Sequence, residues 1–545
     1  MCGIFGYLDL FGLKNHNSIL KHALSNKKRG PERSHTKVFS QLLINFDRLA
    51  INGVDPTNDQ PFFYTEHTNH TYVVLCNGEI YNYKDLLSQR VDIVRECDTQ
   101  IIYPLFKHLN YDFEELNRQL DGEYALCIIH LIDDQVQQFW CSTDHLSIRP
   151  MFYGFNFDKT NTQVQFTFSS LLVGIAPEFE AKRLPGSTYI HWSNTAMFEP
   201  LVEKQYTSLK LGLDMTQFNI KDTLINSVAK RLQSDRPICC LLSGGIDSSI
   251  VASIASRLLK QTKNQRLHTF SIGLQGAPDL YYAKMVAQHI DSEHSELIVT
   301  EQDLLNAIPE VIEAIESFDI TTIRASTPQF LLAKHIASTT DYKVVLNGDV
   351  SDEVAGSYIY FFNAPSDTEF QNETERLLKE IHLYDGLRVD RTISYHGLEA
   401  RLPFSDKYYI STYLQLDPSI KRPIKNQRIE KFVLRHIFDD GTDWLPREVL
   451  YRSKQAFSDA VSQATRSWFE IIQEFVETQE FDRSFTTSHC SPISNESRWY
   501  RLEWLKHFPA HHASVVPHFW MPLWVDGAND PSARTLTDIY TNDTV

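Results

Sequence analysis

The sequence predicts two domains of different class: an α+β sandwich of two sheets, then an α/β domain on a parallel sheet with a mainly helical C-terminal part. Three observations carry this. Roughly the first 190 residues hold short β-branched and aromatic runs that read as strands. From about residue 235 strands and helices alternate, the signature of βα units under a parallel sheet. The third is length, since 545 residues exceed what one core serves.

In chain order, residues 72–75, 124–131, 138–141 and 164–168 read as strands of sandwiched sheets, and residues 98–109 as a helix. A boundary is expected within 190–215, after Pro185-Gly186 and a polar run, giving domains at 2–195 and 210–545. Beyond it come a strand at 238–242, a helix at 248–260, a strand at 268–274, a helix at 280–290 and a strand at 296–299. Two further helices precede a strand at 343–346. Ligands of such a sheet sit at the carboxyl ends of its strands.

Composition narrows the function. Lys and Arg number 52 against 69 Asp and Glu, a net charge of −17, which disfavours nucleic-acid and anionic-membrane partners. The eight cysteines show no C-x-x-C spacing, so a reducing compartment and no structural zinc are expected. The N-terminus lacks a signal peptide's basic start, and no apolar run approaches the roughly 18 residues of a membrane span, so the expected location is cytoplasmic.

Cys2 is the first residue that carries chemistry. Once Met1 is removed, its own α-amine, ordinarily titrating at about 7.7–8, can serve as base for the thiol. Cys2-Gly-Ile-Phe-Gly6 is joined by Arg29-Gly-Pro31, Arg48-Leu-Ala50 and Asn77-Gly-Glu-Ile-Tyr-Asn82. Taken alone, Asn77-Gly78 is also the commonest turn pair. Together these runs resemble the class II glutamine amidotransferases, whose N-terminal-nucleophile domain hydrolyses glutamine. The resemblance implies Cys2 as nucleophile, and the Asn77 side chain with the Gly78 N–H as oxyanion hole. It places Arg48 on the substrate carboxylate and Asp98 on its ammonium, with Leu49, Ala50, Ile51, Asn52 and Glu79 completing the glutamine site. The context of Asp98, Arg-Glu-Cys-Asp-Thr, departs from the family's Gly/Ser-Asp run.

A second motif, Leu241-Leu-Ser-Gly-Gly-Ile-Asp-Ser-Ser249, falls between a predicted strand and a predicted helix, where glycines, hydroxyls and free helix N–H groups favour a phosphate. It resembles the pyrophosphate loop of ATP pyrophosphatases. By that likeness Leu242, Ser243, Gly244, Gly245, Asp247, Ser248 and Ser249 bind ATP, with Ile272, Asn347 and Gly348. Asp247 and Asp352 are candidate Mg2+ ligands, because hard Mg2+ prefers carboxylate and phosphate oxygens. Either Asp is equally a candidate helix cap. Lys454 is the expected point charge on the departing pyrophosphate.

Both halves together resemble the glutamine-dependent asparagine synthetases over nearly the whole chain. Further matching runs include Gly276-Ala-Pro-Asp279, Phe318 to Pro328, Glu399-Ala-Arg-Leu-Pro-Phe404, Ile429-Glu-Lys431 and Asp530-Pro-Ser-Ala-Arg534. The likeness implies an α+β N-terminal-nucleophile sandwich followed by an α/β parallel-sheet ATP-pyrophosphatase-like domain. It implies ATP and Mg2+, with aspartate and glutamine as substrates and Thr321, Thr322 and Arg324 beside the aspartate. A β-aspartyl-AMP intermediate and an internal ammonia channel follow from it, and a homodimer is left open. A related amide-forming ligase with another carboxylate acceptor, or a non-catalytic paralogue, are the competing readings.

Departures cluster at the second site. The family pattern Ser-Gly-Glu-Gly-Ser-Asp-Glu reads here Asn347-Gly-Asp-Val-Ser-Asp-Glu353. Asp349, the catalytic carboxylate by resemblance, is one methylene shorter than the family's glutamate. Val350 replaces a glycine and would be strained if its φ is positive. In the first domain Thr143 stands where the family has arginine, and Ser147 where it has glycine.

Overall fold

The computed structural model describes residues 1–14, 16–67, 69–88, 97–157, 164–194, 202–211, 219–454, 466–525 and 530–532. Outside these lie Arg95 and Glu96 before Asp98, the linker positions 195–201 and 212–218, residues 455–459 after Lys454, and Ala533 with Arg534.

Twelve strands build the first domain. They are β1 (Gly3–Asp9), β2 (Arg33–Val38), β3 (Leu42–Arg48), β4 (Phe62–His67), β5 (His70–Ile80) and β6 (Gly122–Ile132), then β7 (Gln135–Thr143), β8 (Phe152–Phe157), β9 (Val164–Ser169), β10 (Lys182–Arg183), β11 (Thr188–Ser193) and β12 (Val202–Gln205). They pair antiparallel into two sheets, β10-β8-β9-β1-β3-β2 and β12-β11-β7-β6-β5-β4. Alternate side chains explain the sandwich: Ile4, Leu8, Ile44 and Phe46 from one sheet meet Val73, Leu75, Cys127 and Ile129 from the other in a dry core. The predicted strands fall within β5, β6, β7 and β9. β12 pairs with β11, so this sheet continues past residue 195.

The predicted helix 98–109 divides into a 3-10 turn, Asp98–Ile101, and an α-helix, Ile102–His108. Asp98 spends its carboxylate on Ile80 N, at 2.6 Å, instead of capping.

The second domain centres on five parallel strands: β13 (Ile238–Leu241), β14 (His268–Leu274), β15 (Glu293–Val299), β16 (Val344–Leu346) and β17 (Glu399–Arg401), ordered β15-β14-β13-β16-β17. The chain runs outward from β13 to β15, then returns to lay β16 on the other side of β13. That reversal opens a crevice at the carboxyl ends of β13 and β16, where α/β sheets bind ligands. Helices Ile246–Lys263, Pro278–His289, Glu301–Ile315, Ile320–Thr339 and Asp385–Ser394 cover the sheet.

The domains share one continuous core, in which Met1, Phe5 and Tyr7 join the helices of the second domain. Buried polar groups also cross the seam. Arg29 forks onto Asp390 at 2.6 and 3.1 Å, and Glu316 accepts the N–H groups of Leu172 and Val173 at 2.9 and 3.0 Å. Among the described residues no helix is long and apolar enough to cross a membrane.

Candidate active sites

The first site assembles where β1, β3 and β5 converge. Register Gly3↔Asp47 sets Cys2 beside Arg48 at the strand ends, and Cys2 Sγ lies 3.5 Å from Leu49 O. Burial pushes the thiol of Cys76, next to Asn77 on β5, well up, and charge on Asp98 and on Cys2 acts in the same direction. Both polar atoms of the Asn77 side chain are buried without a hydrogen-bond partner among the described residues. A buried polar group without a partner costs about 1–3 kcal/mol, and a substrate oxyanion would accept from the Nδ2 donor, leaving Oδ1 to be met by some other donor. Gly78 is required, because a Cβ there would stand 2.0 Å from Glu123 O.

Met1 precedes Cys2 and is buried, its amine donating to Leu398 O at 3.0 Å. While it remains, Cys2 N is an amide rather than a base. Burial then pushes the thiol up to about 11, so it stays protonated at neutral pH.

Asp98 is buried and pushed up to about 6 by that burial, with the Ile80 N–H pulling the other way. The Arg48 guanidinium pairs with Asp59 and also donates to the carbonyls of Asn52, Gly53 and Asp55. It thereby fixes the loop carrying Ala50, Ile51 and Asn52. Ala50 N donates to Glu32 Oε2 at 2.8 Å, and Asn52 donates to Glu79. Leu49 and Ile51 pack against Ile238 and Val344 of the second domain. Ser147, where the family has glycine, has φ +54, and its Oγ donates to Leu184 O at 3.0 Å. Thr143 Oγ1 donates to Pro185 O at 2.7 Å.

The second site is the crevice at the topological switch. Leu242, Ser243, Gly245, Asp247, Ser248 and Ile272 line it, as do Asn347 and Gly348. Ser243 N and Oγ contact Ser248 Oγ at 3.1 and 3.0 Å, closing the loop over the first turn of helix Ile246–Lys263, whose N-cap Gly245 supplies no side chain. Gly244 and Ser249 serve from behind: Gly244 (φ +73) packs on Ala283 N and Tyr282, and Ser249 is fully buried.

Neither Asp247 nor Asp352 caps a helix, which corrects that alternative: Gly245 and Val350 hold the cap positions. Both carboxylates instead line the crevice and share Lys431, which pairs with Asp247 and reaches Asp352 at 2.6 Å. Lys454 pairs with Asp352 as well. Burial would raise the Asp352 carboxyl, but the two ammonium groups hold it well below the usual carboxylate range. Ser351 Oγ donates to Asp247 Oδ1 at 2.6 Å, tying the two strand ends together.

Two hard oxygen donors on one wall suit Mg2+ that arrives with phosphates, while two balancing lysines make a resident bare ion unnecessary. Among the described residues no group of three or more His, Cys, Asp or Glu could hold an ion. The donor set therefore fits a nucleotide-borne cation.

Asp349 lines the crevice, with Oδ1 accepting from Arg388 at 3.0 Å. Val350 has φ +78, so the strain conditional on a positive φ is present. Thr321, Thr322 and Arg324 are not among the described residues lining the crevice. Thr322 Oγ1 donates to Asp319 at 2.8 Å, and Arg324 is held by Glu496 and Asp530 at 2.6–2.8 Å. Residue reasoning gave no role to Lys431, Arg388 or the buried pair Asp279–Arg452 (2.8 Å), all of which line the crevice. The matching runs that end at Asp279 and Lys431 were the available signal.

Comparison with known proteins covers both halves. A glutamine amidotransferase domain model matches residues 1–197, and an asparagine synthase model matches 219–372 and 363–525. The chain is 37% identical to a glutamine-hydrolysing asparagine synthetase of Mesocricetus auratus, over 98% of this chain and 99% of that one. The human protein of that name is 36% identical with the same coverage. A probable one from Acanthamoeba polyphaga mimivirus is 34% identical, over 98% of this chain and all of that one.

Proposed function

The chain belongs to the glutamine-hydrolysing asparagine synthetases, and on that premise we propose how its two sites share the work. It makes asparagine from aspartate with nitrogen taken from glutamine. The observation that best supports the division is that an unpartnered oxyanion donor beside Cys2 and a phosphate crevice at a switch point occur in one continuous body.

In the first site the freed α-amine of Cys2 takes the thiol proton, and the sulfur attacks the side-chain carbonyl of glutamine. Asn77 and the Gly78 N–H receive the oxyanion, each such donor being worth about 3 kcal/mol. The C–N bond breaks, ammonia leaves with the proton, and water hydrolyses the thioester to glutamate. Arg48 receives the substrate carboxylate in exchange for Asp59, and Asp98 receives its ammonium. Leu49, Ala50, Ile51, Asn52 and Glu79 shape the pocket.

In the second site the β-carboxylate of aspartate attacks the α-phosphorus of ATP and pyrophosphate departs. Ammonia then attacks the acyl carbon of β-aspartyl-AMP and expels AMP. The loop from Leu242 to Ser249, with Ile272, Asn347 and Gly348, holds the nucleotide, and Lys454 meets the leaving pyrophosphate. Asp247 and Asp352 would hold Mg2+, which when bound shields phosphate charge. Asp349 serves adenylate formation. Thr321, Thr322 and Arg324, in the first turns of helix Ile320–Thr339, are the residues assigned to the aspartate by family resemblance. The apolar seam of Leu49, Ile51, Ile238 and Val344 supports direct passage of ammonia between the domains. A cytoplasmic location accords with eight free cysteines, and a homodimer is the assembly proposed.

The test is product analysis with ATP, Mg2+, aspartate and either glutamine or ammonium. Wild type should form asparagine, AMP and pyrophosphate in equal amounts. Cys2→Ala should lose glutamine-dependent synthesis and keep ammonium-dependent synthesis; loss of both together would refute the division of labour.

A further inference from the structure

Gln329 has no part in the mechanism above. Its side chain is buried in the crevice wall, on helix Ile320–Thr339. Arg388 Nη1 donates to its Oε1 at 3.5 Å, and Thr392 Oγ1 lies 3.2 Å from the same oxygen. A guanidinium only donates, so the oxygen of the amide must face Arg388 and its NH2 must face the other way. There Nε2 donates to Asp349 Oδ2 at 3.3 Å.

Asp349 is thus gripped at both oxygens from two helices. Arg388 Nη2 holds Oδ1 at 3.0 Å while its own guanidinium is fixed by Asp385 at 2.5–3.0 Å. Gln329 holds Oδ2. The carboxylate so fixed is the one that falls a methylene short of the family's glutamate, and its backbone leads directly into the left-handed Val350. Misplacing a catalytic group by about 1 Å can cost on the order of a hundredfold in rate, so a short side chain on a strained turn has little tolerance for wandering.

We propose that Gln329 is a positioning residue which, with Arg388, fixes the shortened carboxylate of Asp349 at the acceptor end of the nucleotide crevice. The proposal rests on Asp349 serving adenylate formation. A residue that only filled space would tolerate any side chain of like volume. A donor to Asp349 would not, and its loss would be felt in turnover rather than in ATP binding.

The experiment measures aspartate- and ammonium-dependent pyrophosphate release by the full-length chain, with glutaminase activity as the control for folding. Gln329→Met should lower kcat on the order of tenfold, as expected for a hydrogen bond to a charged group, with KM for ATP and glutaminase turnover unchanged. Gln329→Glu, nearer in shape, should be worse than Gln329→Met because like charges then face each other. The double change Gln329→Asn with Asp349→Glu moves one methylene across the contact and should recover most of what Gln329→Asn alone loses, as coupled neighbours do. Unchanged kcat in Gln329→Met, or a double variant no better than Gln329→Asn, would overturn the role of Gln329 alone. A wild-type chain that hydrolyses glutamine yet releases no pyrophosphate with aspartate would instead overturn the function assigned to the second site.

Discussion

Asp98 shows how one residue's surroundings set a working range. Burial holds its carboxyl near 6, above the ordinary carboxylate value. A raised acid is ionised only above its folded pKa, so the partner for the glutamine ammonium is present at neutral pH and lost as pH falls through about 6. We predict that kcat/KM for glutamine drops below that pH with unit slope, because this ratio reports the free enzyme. Ammonium-dependent synthesis should lack this limb, and Asp98→Asn should remove it at the cost of a higher KM at every pH. A pH profile in which the two nitrogen sources fall together would place the titration elsewhere. The sign for stability is opposite: ionising a buried acid costs the fold, so stability present at low pH is partly lost as pH rises through 6.

At the scale of elements, the turn before helix Ser351–Ala355 sets two effects against each other. A left-handed β-branched residue costs about 1–2 kcal/mol, yet Val350 is buried in the main core, and burying valine is worth about 1.5–3 kcal/mol. Packing outweighs strain, so Val350→Gly should destabilise by about 1 kcal/mol even though it relaxes the backbone. Urea denaturation reads this directly, and a stabilised variant would show that strain dominates. The sequence exposed such elements unevenly. Short β-branched and aromatic runs on β5, β6 and β7, buried over most of their length, were readable as strands, as was the strand–helix alternation around β13 and β14. The three-residue β17 has no period to read, and only its neighbours reveal it. The phosphate loop was legible because glycine and serine spacing encodes local geometry. Lys431 and Arg388 were not, since a cation's role depends on carboxylates brought from distant parts of the chain. Arg324 is the converse case: its partners Glu496 and Asp530 come from 172 and 206 residues away, beyond any local pattern.

For the whole molecule, the seam decides whether two sites act as one enzyme. Arg29 donates through Nε to Cys2 O at 2.9 Å and through its fork to Asp390, so the nucleophile's backbone is anchored on the second domain. Breaking a buried pair by removing one partner costs about 3–5 kcal/mol, because the remaining charge is stranded. Asp390→Ala should therefore destabilise by that amount and split a single urea transition into two, with glutamine hydrolysis less tightly matched to asparagine formed. A single transition with wild-type stoichiometry would show that the apolar core alone couples the domains. The same seam fixes an order of events during biosynthesis. Met1 lies buried with its amine on Leu398 O, so an aminopeptidase cannot reach it once residues near 398 have docked. Excision is therefore expected before that docking, and a molecule that buries Met1 untrimmed keeps the Cys2 nitrogen as an amide, without the base its thiol needs.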